Sequence, residues 1–208
     1  MIAKQVAEKL LETKAVTLSV QEPYTWASGL KSPIYCDNRI TLSYPKARRL
    51  IANGLKDLIL KEFKDVEAIV GVATGGLPQA ALVADLLNLP LAYVRPQAKA
   101  HGRAKQVEGF LQPGAKVVMI EDLISTGGSV LKAVDAVKED GFEVLGVAAV
   151  FTYELQKATD NFKEVKLETL SNYSSLIEQA VSSGYVSEDD LETLKSWRED
   201  PEGYPPVK

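Results

Sequence analysis

Residues 117–129 read VVMIEDLISTGGS, and the fold is decided by how this stretch is read. Val117-Val118-Met119-Ile120 is an unbroken apolar run rich in β-branched residues, the pattern of a strand buried on both faces of a parallel sheet. Glu121 and Asp122 follow at once, where such a strand emerges at its carboxyl end. Then come Ser125-Thr126-Gly127-Gly128-Ser129 and a helical spacing of apolar residues, Val130, Leu131, Val134 and Val137. A small glycine-containing loop between strand and helix lets backbone N–H groups close around a phosphate at the helix N-terminus. The hydroxyls of Ser125, Thr126 and Ser129 add donors to that cradle. No lysine follows the glycines, so this is not a Walker A loop. The glycines are adjacent, so it is not the G-x-G-x-x-G dinucleotide fingerprint either.

The paired acids need their own explanation. Carboxylates repel a phosphate unless a cation or sugar hydroxyls lie between. A ribose 5-phosphate meets both demands, with its phosphate in the loop and its 2- and 3-hydroxyls facing Glu121 and Asp122. A strand that merely turns into a helix through glycines leaves the acids unexplained. The run resembles the phosphoribosyl pyrophosphate (PRPP) motif of type I phosphoribosyltransferases: an apolar strand, two acids, two apolar residues (here Leu123 and Ile124), then S/T-T-G-G-S.

With 208 residues the chain can bury a full core, and one domain with a small appendage is expected. A hydrophobic content of 46% and a charged content of 25% are ordinary for a soluble globular protein. The formal net charge of −4 argues against a generic nucleic-acid binder. The single cysteine, Cys36, cannot form an intrachain disulfide, which fits a reducing compartment. The N-terminus interleaves charges with apolar residues and so lacks the core of a signal peptide. The longest apolar run, Val144 to Phe151, is too short to span a bilayer. These features predict a cytoplasmic, soluble protein with neither a nucleic-acid nor a membrane partner.

Around the organising stretch the chain alternates. Ile2, Val6, Leu10 and Leu11 predict an amphipathic helix over 2–13. From Ala15 to Arg39, aromatic and β-branched residues punctuated by Pro23, Gly29 and Pro33 predict short antiparallel strands, an appendage and not a βα unit. Ser43 as N-cap and Pro45 open a helix to about Phe63. Then follow a strand over 68–72, the loop Thr74-Gly75-Gly76, a helix over 78–87 and a strand over 91–94. Beyond the organising strand and its helix, 144–151 reads as a strand and 165–169 as a last edge strand. Ser171 or Asn172 caps a helix to Ser183. Ser187, with a carboxylate three residues on, opens a final helix through Trp197. The expected organisation is an N-terminal helix and hood over 1–42, an α/β core over 43–170, packed C-terminal helices over 171–200, and a loose Pro/Gly-rich tail over 201–208. The core is a parallel sheet flanked by helices, with its ligand site beyond the carboxyl ends of the strands. That rule brings Thr74-Gly75-Gly76, Arg95 and Glu121-Asp122 to one rim.

The segment Arg95 to Lys105, RPQAKAHGRAK, holds four Arg/Lys residues, the only histidine and no acid. A mobile basic loop of this kind suits a pyrophosphate leaving group, which needs cations to neutralise it. Three stretches together narrow the resemblance. WASG followed by SPIYCDNR, over Trp26 to Arg39, is similar to the N-terminal hood of orotate phosphoribosyltransferases. Arg95, Lys99, His101 and Gly102 match that family's R-x-x-x-K-x-H-G loop, and the organising stretch completes the set.

The resemblance implies a homodimer whose basic loop reaches the partner's active site, with PRPP and orotate as substrates and orotidine 5′-phosphate as product. It implies Mg²⁺ bound with PRPP and no direct protein ligand to the metal. Carried over, Arg95, Lys99 and His101 hold the pyrophosphate, Glu121 and Asp122 face the ribose hydroxyls, and Ser125 to Ser129 bind the 5-phosphate. Asp122, Lys99 and His101 are the catalytic candidates, and Ser125 also touches orotate. Some members of the family carry lysines at the positions of Ala27, Gly75 and Pro96, and an orotate-contacting arginine at that of Tyr153. The group that neutralises the orotate carboxylate is therefore open, with Arg39 and Lys31 as candidates on charge and Tyr153 on position. Rival readings are a purine phosphoribosyltransferase and a PRPP-sensing regulator on the same fold. Against them stand the hood, the basic loop and the acidic net charge.

Overall fold

The computed structural model describes residues 1–26, 28–96 and 106–204. Helix α1 (Ile2–Glu12) turns Val6, Ala7, Leu10 and Leu11 inward, as its apolar stripe demands. Four short strands follow: β1 (Val16–Leu18), β2 (Tyr24–Thr25), β3 (Lys31–Ser32) and β4 (Ile34–Cys36). β1 pairs antiparallel with β4, and β2 with β3, which makes the hood. A 3₁₀ helix over Asn38–Ser43 leads into α2 (Pro45–Glu62). Ser43 is not the N-cap that its residue type predicts. It is consumed as the last residue of the 3₁₀ helix, so Tyr44 takes the cap position without a side-chain bond.

The βα rhythm then gives β5 (Ala68–Val72), α3 (Leu77–Leu87), β6 (Leu91–Val94), β7 (Val107–Glu108), β8 (Lys116–Ile124), α4 (Gly128–Glu139), β9 (Glu143–Thr152), α5 (Gln156–Asn161), β10 (Leu167–Asn172), α6 (Tyr173–Ser182) and α7 (Asp190–Glu199). The main sheet has the order β10-β9-β8-β5-β6-β7. All its pairings are parallel except that of β7, a short antiparallel edge on β6. β8 therefore lies inside the sheet with a neighbour on each side.

Its apolar run serves two cores at once, because successive side chains of a strand face opposite ways. Val118 and Ile120, with Ala148 and Val150 of β9, join residues of α1, α2, α3 and α6. Val117 and Met119, with Val147 and Ala149, join Val130, Val134 and Val137 of α4. Each Val or Ile buried this way stabilises the fold by roughly 1.5–3 kcal/mol relative to exposure.

The C-terminus is more tightly used than its composition predicts. Asn172 caps α6 by accepting the Ser175 N–H at 2.8 Å. Ser187 and Asp190 form the reciprocal capping box, each N–H donating to the other's side chain at 3.3 Å. Fully buried Trp197 of α7 donates its indole N–H to the Lys31 carbonyl of the hood at 3.2 Å. The described part of the predicted tail, residues 201–204, is not loose. Tyr204 is only 6% exposed and donates its hydroxyl to the Val20 carbonyl at 3.2 Å. Burial of one aromatic ring against the hood outweighs the flexibility of the Pro/Gly composition around it. Among the described residues, no helix is long and apolar enough to cross a membrane.

Candidate active site

The strand β8 runs four residues past Ile120, so the paired acids lie within it and not beyond it. It keeps its ladder with β9 as far as Ile124 opposite Thr152, whereas its ladder with β5 stops at Ile120 opposite Gly71. Past that point one edge of β8 is open. Asn38, 5% exposed at the end of the hood, closes it by donating Nδ2 to the Asp122 carbonyl at 2.6 Å. The Cys36 thiol in turn donates to Asn38 Oδ1 at 3.5 Å. Burial pushes that thiol well above its usual range, and the charges of Asp122 and Asp37 push the same way. Cys36 is thus a protonated donor and packing residue, not a nucleophile.

Glu121 is 9% exposed, and its Oε1 accepts the N–H of Asp122 at 2.9 Å. Burial raises its carboxyl above the ordinary value, and the neighbouring Asp122 carboxyl, by a side-chain bond and by its charge, raises it further, against the smaller lowering effect of the Asp122 N–H. Half-buried Asp122 lies over the loop that follows β5. A Cβ placed on Gly75 would fall 2.1 Å from Asp122 Oδ2, and one on Gly76 would fall 2.2 Å from the Ile120 carbonyl. Only glycine permits this approach, which is a steric reason why no lysine stands at position 75.

After β8 the chain turns at buried Gly127, whose φ of +79° suits a residue without Cβ, and enters α4. The first helical bond runs from Leu131 N–H to the Gly127 carbonyl at 3.0 Å. The N–H groups of Gly128, Ser129 and Val130 are left without an intrahelical acceptor, in the positive field of a 12-residue helix. Ser125, Thr126 and Ser129 carry hydroxyls at the same turn. Leu123 and Ile124 bring no polar side chain, and the Ile124 carbonyl is taken by the Tyr153 N–H at 3.1 Å.

Arg95 follows β6. Its N–H donates to the Gln106 carbonyl at 3.0 Å and Gln106 Nε2 donates back at 3.3 Å, which draws together the two ends of the basic segment. The Arg95 guanidinium lies 3.5 Å from the Glu108 carboxylate. Lys99, His101, Gly102 and Ala27 lie outside the described residues. Because β6, β5 and β8 are parallel neighbours, Arg95, Thr74-Gly75-Gly76 and Glu121-Asp122 share the carboxyl-end rim.

Beside the acids opens a cavity of about 290 Å³, lined by Thr25, Trp26, Tyr35, Cys36, Leu123, Ser125 and Tyr153. Trp26 and Ser125 also line a neighbouring cavity of about 760 Å³ that reaches Thr126, Lys157 and Arg198. Tyr153 is 3% exposed and packs against Trp26 with ring centroids 5.0 Å apart, while Trp197 wedges against both. A slot walled by aromatic rings and lined by the hydroxyl-bearing Thr25, Tyr35, Ser125 and Tyr153 suits a flat, polar heterocycle. Ser125 and Tyr153 thus line the slot together, whereas Arg39 is not among the lining residues and Lys31 reaches it only through Thr25. The Arg39 guanidinium is forked onto Asp37 at 2.7 and 2.9 Å and holds that carboxyl below its usual range. Lys31 donates to Thr25 Oγ1 at 2.6 Å. Trp26 and Tyr35 emerge as lining residues that a reading by charge passes over. Their signal was aromatic content in a segment too short to need it for a core.

A family model described as phosphoribosyl transferase domain matches residues 39–186. An orotate phosphoribosyltransferase of Listeria monocytogenes is 56% identical over 205 residues, which covers 98% of each chain. Among solved structures, the orotate phosphoribosyltransferase of Aeropyrum pernix superposes with a TM-score of 0.75 at 29% identity, over 88% of this chain and 99% of that one. That of Mycobacterium tuberculosis, solved with 5-phospho-α-D-ribosyl 1-diphosphate, superposes with a TM-score of 0.63 at 25% identity, over 85% of this chain and 99% of that one.

Proposed function

This chain belongs to the orotate phosphoribosyltransferase family, and we infer that it transfers the ribose 5-phosphate group of PRPP to N1 of orotate. The products are orotidine 5′-phosphate and pyrophosphate, a step of pyrimidine biosynthesis. The observation that supports this reading is Ser125, which follows the strand carrying the acid pair and lines both the aromatic slot and the neighbouring cavity that reaches Thr126. A purine as acceptor is not favoured, since the relatives at this identity are named for orotate.

In this reading the free N–H groups of Gly128 and Ser129, with the hydroxyls of Ser125, Thr126 and Ser129, take the 5-phosphate. Glu121 and Asp122 face the ribose hydroxyls. The base lies in the slot between the hood and Tyr153, touching Ser125, so that N1 is presented to C1 of the ribose. Positioning of this kind supplies much of the rate. Asp122 stabilises positive charge as it develops on the ring, while Arg95, Lys99 and His101 neutralise the departing pyrophosphate. The Asp122 carboxylate, with the buried Glu121 carboxyl beside it, would suit a hard cation such as Mg²⁺ brought in with PRPP, which would spread the charge of the leaving group. The working form would be a cytoplasmic homodimer, with the basic loop of one subunit closing the site of the other and excluding water. Mixing the protein with PRPP, Mg²⁺ and orotate should release one pyrophosphate for each orotate lost. Pyrophosphate release that leaves orotate untouched would overturn the reading.

A further inference from the structure

Helix α5 has no counterpart in the apolar pattern of the sequence, and Ala158 is its one buried residue. A helix so poorly anchored contributes little to the core, yet it meets the phosphate loop twice. Asn161, its last residue, donates Nδ2 to the Thr126 carbonyl at 2.8 Å. Phe162, the next residue, packs so closely on Gly127 that a Cβ there would fall 2.3 Å from its ring. A trans peptide is planar, with its C=O and N–H pointing opposite ways. Drawing the Thr126 carbonyl toward α5 therefore turns the Gly127 N–H away from α5, and this N–H directly precedes in sequence those of Gly128 and Ser129, which have no intrahelical acceptor. No other described residue donates to the Thr126 carbonyl. Without Asn161 this peptide is free to rotate, because Gly127 tolerates both hands of φ.

We propose that Asn161 is a positioning residue for the 5-phosphate: with Phe162 it clamps the Thr126–Gly127 peptide so that the Gly127 N–H joins the phosphate cradle. The proposal rests on the reading that this loop takes the 5-phosphate, and it makes α5 part of PRPP recognition and not of orotate recognition. Its signature is a split between substrates. Asn161→Ala should raise KM for PRPP and Kd for ribose 5-phosphate about fivefold to tenfold, the worth of one neutral hydrogen bond. KM for orotate and the thermal midpoint should stay near those of the parent protein. Asn161→Asp, which loses the donor and adds a negative charge, should bind PRPP more weakly still, and Asn161→Gln should recover part of the loss. Asp160→Asn is the control, because that carboxylate meets only Gln156 and Lys163 among the described residues. Unchanged PRPP and ribose 5-phosphate affinity in Asn161→Ala would overturn the proposal while leaving the phosphate loop in place. A rise in orotate KM that keeps step with that for PRPP would overturn it as well. Failure of the parent protein to bind ribose 5-phosphate at all would remove the underlying reading and the proposal together.

Discussion

The side-chain amide of Asn38 donates to the backbone carbonyl of Asp122 at 2.6 Å, across 84 residues of sequence. This bond stands where β5 would have continued the ladder, and it fastens the hood to the strand that carries the acids. Asn38→Ala would leave a partly buried carbonyl without a donor, at a cost of roughly 1–3 kcal/mol. Urea denaturation should show a lowered midpoint with an unchanged slope. Orotate KM should rise as well, because the hood lines the base slot. An unchanged midpoint would mean that the bond contributes nothing net.

Gly75 tests the packing of the β5 loop on the acids. Its missing Cβ would lie 2.1 Å from Asp122 Oδ2, so Gly75→Ala must displace either the loop or the carboxylate. A shift near 1 Å at a reacting centre is worth about 10²-fold in rate. A fall in kcat/KM of that order is expected with the fold retained by circular dichroism. Near-parental kcat/KM would show that Asp122 has slack the structure does not display.

Glu121 should make the stability of the free enzyme depend on pH. Burial first, then a side-chain bond with the Asp122 carboxyl and the charge of that group, raise this carboxyl from the ordinary 4.5 to about 9. The folded protein therefore holds a proton that the unfolded chain releases near 4.5, and stability falls as pH rises through that interval. The contribution is complete below the unfolded value. Denaturant midpoints should decline from about pH 5 to about pH 8, and Glu121→Gln, uncharged throughout, should flatten the decline. A decline of equal slope in Glu121→Gln would assign it to other groups.

Lys99 is a candidate for leaving-group stabilisation from the sequence alone. Removing one well-placed donor to developing negative charge costs about 10²–10³ in kcat. Lys99→Ala should lose that much while retaining orotate binding in equilibrium dialysis. A loss confined to KM would recast the residue as a binding contact without a role in the chemistry.

Much of this architecture can be read from one strand. Val117 to Ile120 is buried on both faces, and the order of strands and helices around it follows from alternation. The boundary was harder, because polar Glu121 and Asp122 end the apolar run while their backbone goes on pairing with β9. The acid pair and the Ser/Gly turn are compact in sequence, and the structure places them on β8 and at the start of α4. What pattern cannot show is contact across distance. Asn38 and Asn161 look like ordinary polar loop and helix-end residues, and their importance lies wholly in which carbonyl each one reaches. Helix α5 is too short and polar to leave a periodic signal. Arg39 and Lys31 fit the orotate site by charge; Arg39 is forked onto Asp37, and Lys31 donates to Thr25, a residue that lines the slot. Tyr204 hides in a stretch whose prolines and glycine signal a loose end.

The most direct test is a comparison of acceptor bases. Purified protein with PRPP and Mg²⁺ would be offered orotate, hypoxanthine and adenine separately, with consumption followed by absorbance. The account predicts loss of orotate alone, dependent on both PRPP and Mg²⁺. Consumption of a purine with orotate untouched would contradict it, leaving the phosphate loop intact but giving the slot beside Ser125 to another base.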